Sequence, residues 1–259
     1  MLFSLPYFRR VAYECFLRAH QGLAALLFYA MWRHIPANRL LPRLCLYVSL
    51  GSLALTSLSQ LLLLCYQNAV FTTRGFPRAY VYNTDEDQDK REELKREQAI
   101  MVRISLPCPM KLDAGQYIYL WMPTVSLFSW AQTHPFMVTS WSRQKQTTLD
   151  LYMKVQRGLT ATLLNYARTA PDGSVSFASF VTGPHGVSKP TSQYESVLLI
   201  ASGSGIAATL PYVKKLIYGY NTSVDRTRRV HLVWQLKTLG KCVLCTLFNV
   251  LTDQIWQSL

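Results

Sequence analysis

Two histidines fourteen positions apart, His20 and His34, stand in and at the end of a largely apolar stretch. On an α-helix that spacing turns the second ring through about 1400°, ~40° short of four full turns, and raises it ~21 Å along the axis. Both imidazoles then leave one face, one near each leaflet of a bilayer. Imidazole is a strong axial ligand for haem iron, and two haems stacked at that separation would make an electron path. The alternative places His34 in an interfacial turn and His20 against an unrelated neighbour. Further along, Gly203-Ser204-Gly205-Ile206 follows the apolar run Ser196–Ala201 and precedes a helical pattern over Ala207–Tyr218. With a second strand at Arg229–Trp234, this is the opening of a nucleotide-binding unit, whose glycines let a pyrophosphate approach the backbone at a positive helix end. Position 208 is alanine, so the full G-x-G-x-x-G is not present, and a tight strand-to-helix turn is the competing reading. Gly158-Leu159-Thr160 precedes another helical stretch, Ala161–Arg168, with Thr160 as its expected N-cap. Cys242 and Cys245 form a lone C-x-x-C, which reads as plain helix surface before it reads as a metal or redox site.

The elements that must carry these groups divide in two. Leu44 to Tyr66 is an uncharged, leucine-rich run of 23 residues, and about 20 suffice to cross the hydrocarbon. Tyr13 to Trp32 is also apolar but holds Arg18, His20 and Gln21. As a second span it would complete a helical hairpin, with Ile35 to Leu41 as the turn beside Pro36 and Pro42. Both chain ends would then face one side. Arg9, Arg10, Arg74 and Arg78 favour the cytoplasm, while Arg33, Arg39 and Arg43 in the turn weaken that vote. Beyond residue 72 the periodicity changes. Short β-prone runs at Ala79–Tyr82, Ile100–Ser105, Tyr117–Met122, Phe136–Ser140, Leu149–Val155 and Ser174–Phe180 predict a small antiparallel barrel. Asp85 to Glu97, which holds 7 of the 14 acidic residues, reads as a solvated loop or exposed helix.

Composition agrees with this split. Half of the residues are hydrophobic and 16% are charged, and the net charge is +13. The basic residues are dispersed, with small clusters at Arg9-Arg10, Lys214-Lys215 and Arg226 to Arg229. No basic stripe interleaved with stacking aromatics appears, so nucleic acid is excluded as a partner. Cys15, Cys45 and Cys65, in apolar helical stretches, are expected to be small buried side chains.

Ala114-Gly115-Gln116-Tyr117, followed by Gln132-Thr133-His134-Pro135-Phe136-Met137-Val138-Thr139-Ser140-Trp141, resembles the flavin-binding barrel of fungal ferric-chelate reductases, relatives of the NADPH oxidases. Gly183-Pro184-His185-Gly186 is similar to that family's Gly-Pro-Tyr-Gly turn. Gly203-Ser204-Gly205-Ile206-Ala207 with Pro211 is similar to its NADPH-binding loop. Tyr13-Glu14, Phe16, His20 and His34 resemble its penultimate haem helix. The motifs occur in family order over nearly the whole chain.

The resemblance implies that His134 contacts the FAD pyrophosphate, that Pro135 and Phe136 shape the strand under the flavin, and that Val138, Thr139 and Ser140 line the isoalloxazine. Gly158 and Thr160 would offer backbone amides and a hydroxyl to phosphate, and Gly203, Ser204, Gly205 and Ile206 would receive NADPH. A dianionic pyrophosphate needs donors and a helix N-terminus more than it needs a general base. The sequence departs from the family at Met137, which removes a hydroxyl, and at His185, which replaces tyrosine. The family also clamps each haem between histidines of two helices, and its NADPH site is completed by a Cys-Gly-Pro segment. Only one histidine-bearing helix and no such segment occur before Leu259, so a chain truncated at both ends is expected.

The implied fold is a membrane α-helical hairpin (residues 1–72, helices at about 13–32 and 44–66), then an antiparallel FAD-binding β-barrel of ferredoxin-reductase type (73–190), then a partial α/β Rossmann-like NADPH-binding domain (191–259). The implied function is membrane electron transfer from NADPH through FAD and haem b to a ferric chelate, with the cofactors carrying the chemistry. His20 would serve an inner haem and His34 an outer one, each needing a second ligand from outside this chain. The implied place is the plasma membrane with the flavin domain cytoplasmic. Two other readings are a superoxide-forming oxidase and a non-catalytic subunit paired with an intact reductase protomer.

Overall fold

The computed structural model describes residues 13–36, 40–70, 75–83, 99–126, 129, 132–156, 158–171 and 173–235. The acidic run Asp85 to Glu97 and the Cys242/Cys245 pair lie outside the described residues. The chain divides into two compact units, Met1–Cys65 and Tyr66–Leu259.

The first unit holds helix α1 (Tyr13–His34) and most of helix α2 (Leu40–Gln67). α2 has a mean hydropathy of 1.7 and is the one described helix long and apolar enough to cross a membrane. α1 falls short of that mark, because Arg18, His20, Gln21, Arg33 and His34 interrupt its apolar surface. α2 begins at Leu40, four residues before the apolar run read from the sequence at Leu44. Pro42 sits in the first turn of α2, where the missing N–H of proline has no helical partner to lose. Ser49, Ser52, Thr56 and Ser59 return their hydroxyls to carbonyls three or four residues back, at 2.8–3.0 Å. This self-satisfaction lets a helix carry hydroxyls into hydrocarbon. Leu53, Leu55, Leu58 and Leu61 to Leu63 are exposed, as suits a helix solvated by lipid. For the same reason Cys45 is exposed rather than buried, and Cys65 is half-buried.

The second unit begins with two antiparallel sheets. One runs β5 (Gln146–Lys154), β2 (Ala99–Met110), β1 (Arg78–Asn83), β6 (Ser174–Ala178); the other runs β4 (His134–Met137), β3 (Tyr117–Trp121), β7 (Phe180–His185). Alternate residues point inward, so Ile100, Val102 and Ile104 of β2, Ile118 and Leu120 of β3, and Leu149, Leu151 and Met153 of β5 form one core. The sheets touch where Val138, just past β4, bridges Leu151. The expected strand Ser174–Phe180 is in fact two. Ser179 donates both its N–H and its hydroxyl to Pro77 O (3.0 and 3.3 Å), and the chain bends there from one sheet to the other. Gly183, Pro184 and His185, read from sequence as a turn, belong to β7.

Helix α3 (Leu159–Thr169) buries Leu163, Leu164 and Ala167 on this core and sets Tyr166 against Phe177 of β6. Gly158, not Thr160, is its N-cap. The chain then forms β8 (Ser196–Ser202), a 3-10 turn at Gly203–Gly205, helix α4 (Ile206–Asn221) and β9 (Arg229–Gln235). β8 and β9 are parallel, paired from Ser196↔Arg229 to Ser202↔Gln235. Ala201, Ile206 and Leu210 pack with Trp234 and with Tyr152 of β5, which joins this α/β portion to the antiparallel one.

Candidate functional site

Three chain segments with the chemistry of a dinucleotide site converge on β5 and its neighbours. The first is β4 with its continuation. His134 pairs across the sheet with Leu120, and Phe136 with Ile118, so both rings share the face of those core residues. His134 is half-buried, 6.3 Å from the Phe136 ring. Pro135, on the opposite face, is exposed. Val138 is buried in the core and presents only its main chain. Thr139 donates its N–H and its hydroxyl to Asp150 O, at 2.8 and 2.9 Å. The Asp150 N–H donates to Ser140 Oγ at 3.1 Å, which leaves the Ser140 proton available. Asp150 therefore sets the geometry of residues 139 and 140, a part not visible in the sequence.

The second segment is the start of α3. Gly158 has φ +86, and a Cβ there would meet nothing within 4 Å. The first helical bond runs from Thr162 N to Gly158 O, so the amides of Leu159, Thr160 and Ala161 have no intrahelical acceptor. They form a positive end that an anionic group can approach. The Thr160 hydroxyl is turned away from that space, accepting the Gln156 N–H at 2.8 Å.

The third is the Gly203–Gly205 turn. Gly203 has φ +53 and its carbonyl accepts the Trp234 indole N–H at 2.9 Å. Gly205 caps α4, and a Cβ on it would also meet nothing within 4 Å. Ser204 is half-buried between them, and Ile206 turns inward. Further along, in the middle of α4, Lys214 is 6% exposed, with no hydrogen-bond partner for Nζ. Burial pushes its pKa down to about 8, against the opposing pull of Asp150. Asp150 is also paired with Arg103, Nε to Oδ1 2.7 Å, and holds that guanidinium's pKa above its usual value.

The Gly183–Gly186 segment has a different task from that of a loop. A Cβ on Gly183 would stand 3.1 Å from Ile118, and one on Gly186 3.3 Å from the Tyr117 ring. His185 lies 5.6 Å from Tyr117 and 5.1 Å from Tyr119, ring to ring. The Tyr117 hydroxyl hydrogen-bonds that of Tyr119 and raises its pKa. Gly186 makes room for this aromatic cluster on the outer face of β3 and β7, while Gly183 makes room for the buried Ile118. The alternation of Tyr117, Tyr119 and Trp121 was the available signal. Two further residues escaped the sequence reading: Gln67 and Asn68 grip the main chain of β7 with their side-chain amides.

In the first unit, His20 and His34 are carried by one continuous helix and both are exposed, with His20 stacked on Phe16 at 6.0 Å. They are the only histidines before Tyr66. The described residues therefore supply at most one axial ligand per haem iron, and no cluster of three or more metal-ligating side chains occurs among them.

Residues 90–199 match the family model of an FAD-binding domain, and residues 194–257 match that of a ferric reductase NAD binding domain. The first match contains the β4 segment and the start of α3; the second contains the glycine turn. The chain is 28% identical over 219 residues, 83% of its length, to ferric reductase transmembrane component 3 of Saccharomyces cerevisiae. To component 5 of the same yeast it is 30% identical over 244 residues, 92% of its length. The chain is a relative of the fungal ferric reductases. It spans 27% and 31% of the length of those two ferric reductases. Among solved structures, a ferredoxin-NADP+ reductase from Plasmodium falciparum aligns with TM-score 0.44 and 12% identity, over 70% of this chain and 68% of that one.

Proposed function

We propose that this chain is the flavin-bearing, membrane-anchored part of an NADPH-dependent ferric-chelate reductase, with residues 1–72, 73–190 and 191–259 as its membrane, FAD and NADPH portions. The observation that carries the reading is the pairing of two open helix starts, at Gly158 and Gly205, within adjoining matches to an FAD-binding and a ferric reductase NAD binding domain. A pyrophosphate needs backbone amides at a positive helix end and room to approach; the Gly158 start offers three first-turn amides together with that room, and the Gly205 start offers the room.

When bound, FAD accepts a hydride from NADPH and passes electrons on singly. The residues that would hold it are His134 and the first-turn amides of α3 at the phosphates, with Pro135 and Phe136 shaping the strand. Thr139 and Ser140, fixed through Asp150, would line the ring together with the main chain of Val138. Gly203, Ser204, Gly205 and Ile206 would receive the nicotinamide dinucleotide. The bent β6–β7 strand and the Val138↔Leu151 bridge support closure of the two sheets into a barrel.

α1 and α2 form the hairpin in this reading, supported by the Trp32 indole donating to Tyr47 Oη at 3.4 Å and by Arg43 donating to Ile35 O at 3.1 Å. His20 would hold an inner haem b and His34 an outer one, each needing a second ligand from outside this chain, such as an intact reductase protomer would supply. The acceptor is a ferric chelate beyond the plasma membrane, with the flavin portion in the cytoplasm. The test is anaerobic addition of NADPH to the detergent-purified, FAD-loaded chain. The expected result is bleaching of the flavin band with no bis-histidine haem spectrum. A flavin that NADPH leaves oxidised, or haem bands from the chain alone, would refute the reading.

A further inference from the structure

Helix α4 does more than follow the glycine turn; one side of it lies along the antiparallel lobe. The Tyr212 ring occupies the space where a side chain at Gly115 would be. A Cβ on Gly115 would lie 2.9 Å from both Cε2 and Cζ of Tyr212, and closer still to its hydroxyl. Gly115 also has φ +84, a conformation that other residues adopt at a cost. The hydroxyl of Tyr212 accepts the Lys189 N–H at 2.9 Å, in the segment that joins β7 to β8. One residue pair on, Lys215 Nζ is 3.9 Å from Asp113 Oδ1. Further along, Tyr218 meets Trp141 edge to face at 5.5 Å, immediately after Ser140. Tyr212, Lys215 and Tyr218 recur every three residues, the spacing of one helix side.

We propose that Tyr212 is a positioning residue for hydride transfer: seated on Gly115 and tied to Lys189, it fixes the spacing between the Gly203–Gly205 turn and the His134–Ser140 strand. The proposal rests on the reading of those two segments as the NADPH and FAD sites. Its physical basis is that hydride donor and acceptor must approach within about 3–3.5 Å, and that a ~1 Å misplacement can lower the rate about 10²-fold. Gly115 is then a residue selected for what α4 needs, beyond the turn it makes.

The experiment uses the full chain in detergent and two variants. Tyr212→Phe keeps the ring and loses the acceptor for Lys189; Tyr212→Ala loses both. Hydrogen exchange at the Lys189 amide needs no cofactor, and it is expected to quicken about tenfold or more in Tyr212→Phe. With FAD loaded, both variants are expected to hold flavin about as tightly as the parent. Flavin reduction at saturating NADPH is expected to slow by roughly 3–10-fold in Tyr212→Phe and by about 10²-fold in Tyr212→Ala. Unchanged exchange at Lys189 in Tyr212→Phe, or reduction at the parental rate in Tyr212→Ala, overturns the proposal. Should Tyr212→Ala not fold, Tyr212→Phe decides both arms. A parent chain that binds FAD but is never reduced by NADPH would sink the functional reading, and the positioning role with it, while the exchange result would still show whether the latch exists.

Discussion

The side-chain amide of Asn68 pairs with the main chain of Val181 as a strand would: Nδ2 donates to Val181 O at 2.9 Å, and Oδ1 accepts the Val181 N–H at 2.7 Å. Gln67 does the same at Gly183, at 2.7 and 3.4 Å. β7 is the edge of its sheet, and an unpaired edge is a liability. Two adjacent carboxamides cover it. Asn68 is fully buried, so Asn68→Ala is expected to lower stability by about 2–4 kcal/mol, since two backbone groups lose their partners. Asn68→Asp is expected to be at least as damaging at neutral pH, because a carboxylate has no donor for Val181 O. Thermal unfolding in detergent, followed by tryptophan fluorescence, checks both.

Lys214 makes stability depend on alkaline pH. In the unfolded chain its proton stays on to about pH 10.5; folded, it leaves near 8. Between those values the folded chain binds fewer protons, so stability rises with pH across that window. The penalty at pH 7 is up to ~3 kcal/mol. Lys214→Met is expected to raise stability at pH 7 by a part of that amount and to flatten the alkaline rise. Denaturant unfolding at pH 7 and pH 10 measures both changes. A parental chain whose stability falls over the same interval would contradict the assignment.

Gly158 and Gly205 separate strain from approach. Gly158 has φ +86, whereas Gly205 has an ordinary helical φ of −61. Gly158→Ala is expected to cost about 1–3 kcal/mol of stability from backbone strain and to weaken FAD binding. Gly205→Ala is expected to leave stability within about 0.5 kcal/mol while weakening NADPH binding about tenfold, through loss of the close approach to its backbone. Melting curves and nucleotide titrations on both variants give the four numbers needed.

The parts legible in the sequence were those written in periodicity. An apolar run of bilayer length, alternating β-prone runs and a strand–glycine–helix–strand order each placed an element within a few residues of α2, β1 to β5 and β8–α4–β9. What stayed hidden depends on partners far along the chain. Gly183 and Pro184 signal a turn locally, yet Gln67, 116 residues earlier, pairs with Gly183 in a strand. Lys214 beside Lys215 reads as a solvated charge pair, and only the packing of α4 buries one and leaves the other half-exposed. Thr160 has the chemistry of a cap, but Gly158 takes that position because a positive φ is needed there. At His134 the sequence pointed to the segment, and the strand register then determined which face its ring shares.

The central claim is that the lobe after α2 holds FAD through its phosphates. Equilibrium titration of the full detergent-purified chain with FAD, followed by flavin fluorescence, tests it most directly. One FAD per chain is the expected result, with affinity lowered about tenfold in His134→Ala, as for loss of one contact to a charged group. A chain that leaves FAD free in solution, or one that binds it equally well without His134, would contradict the account.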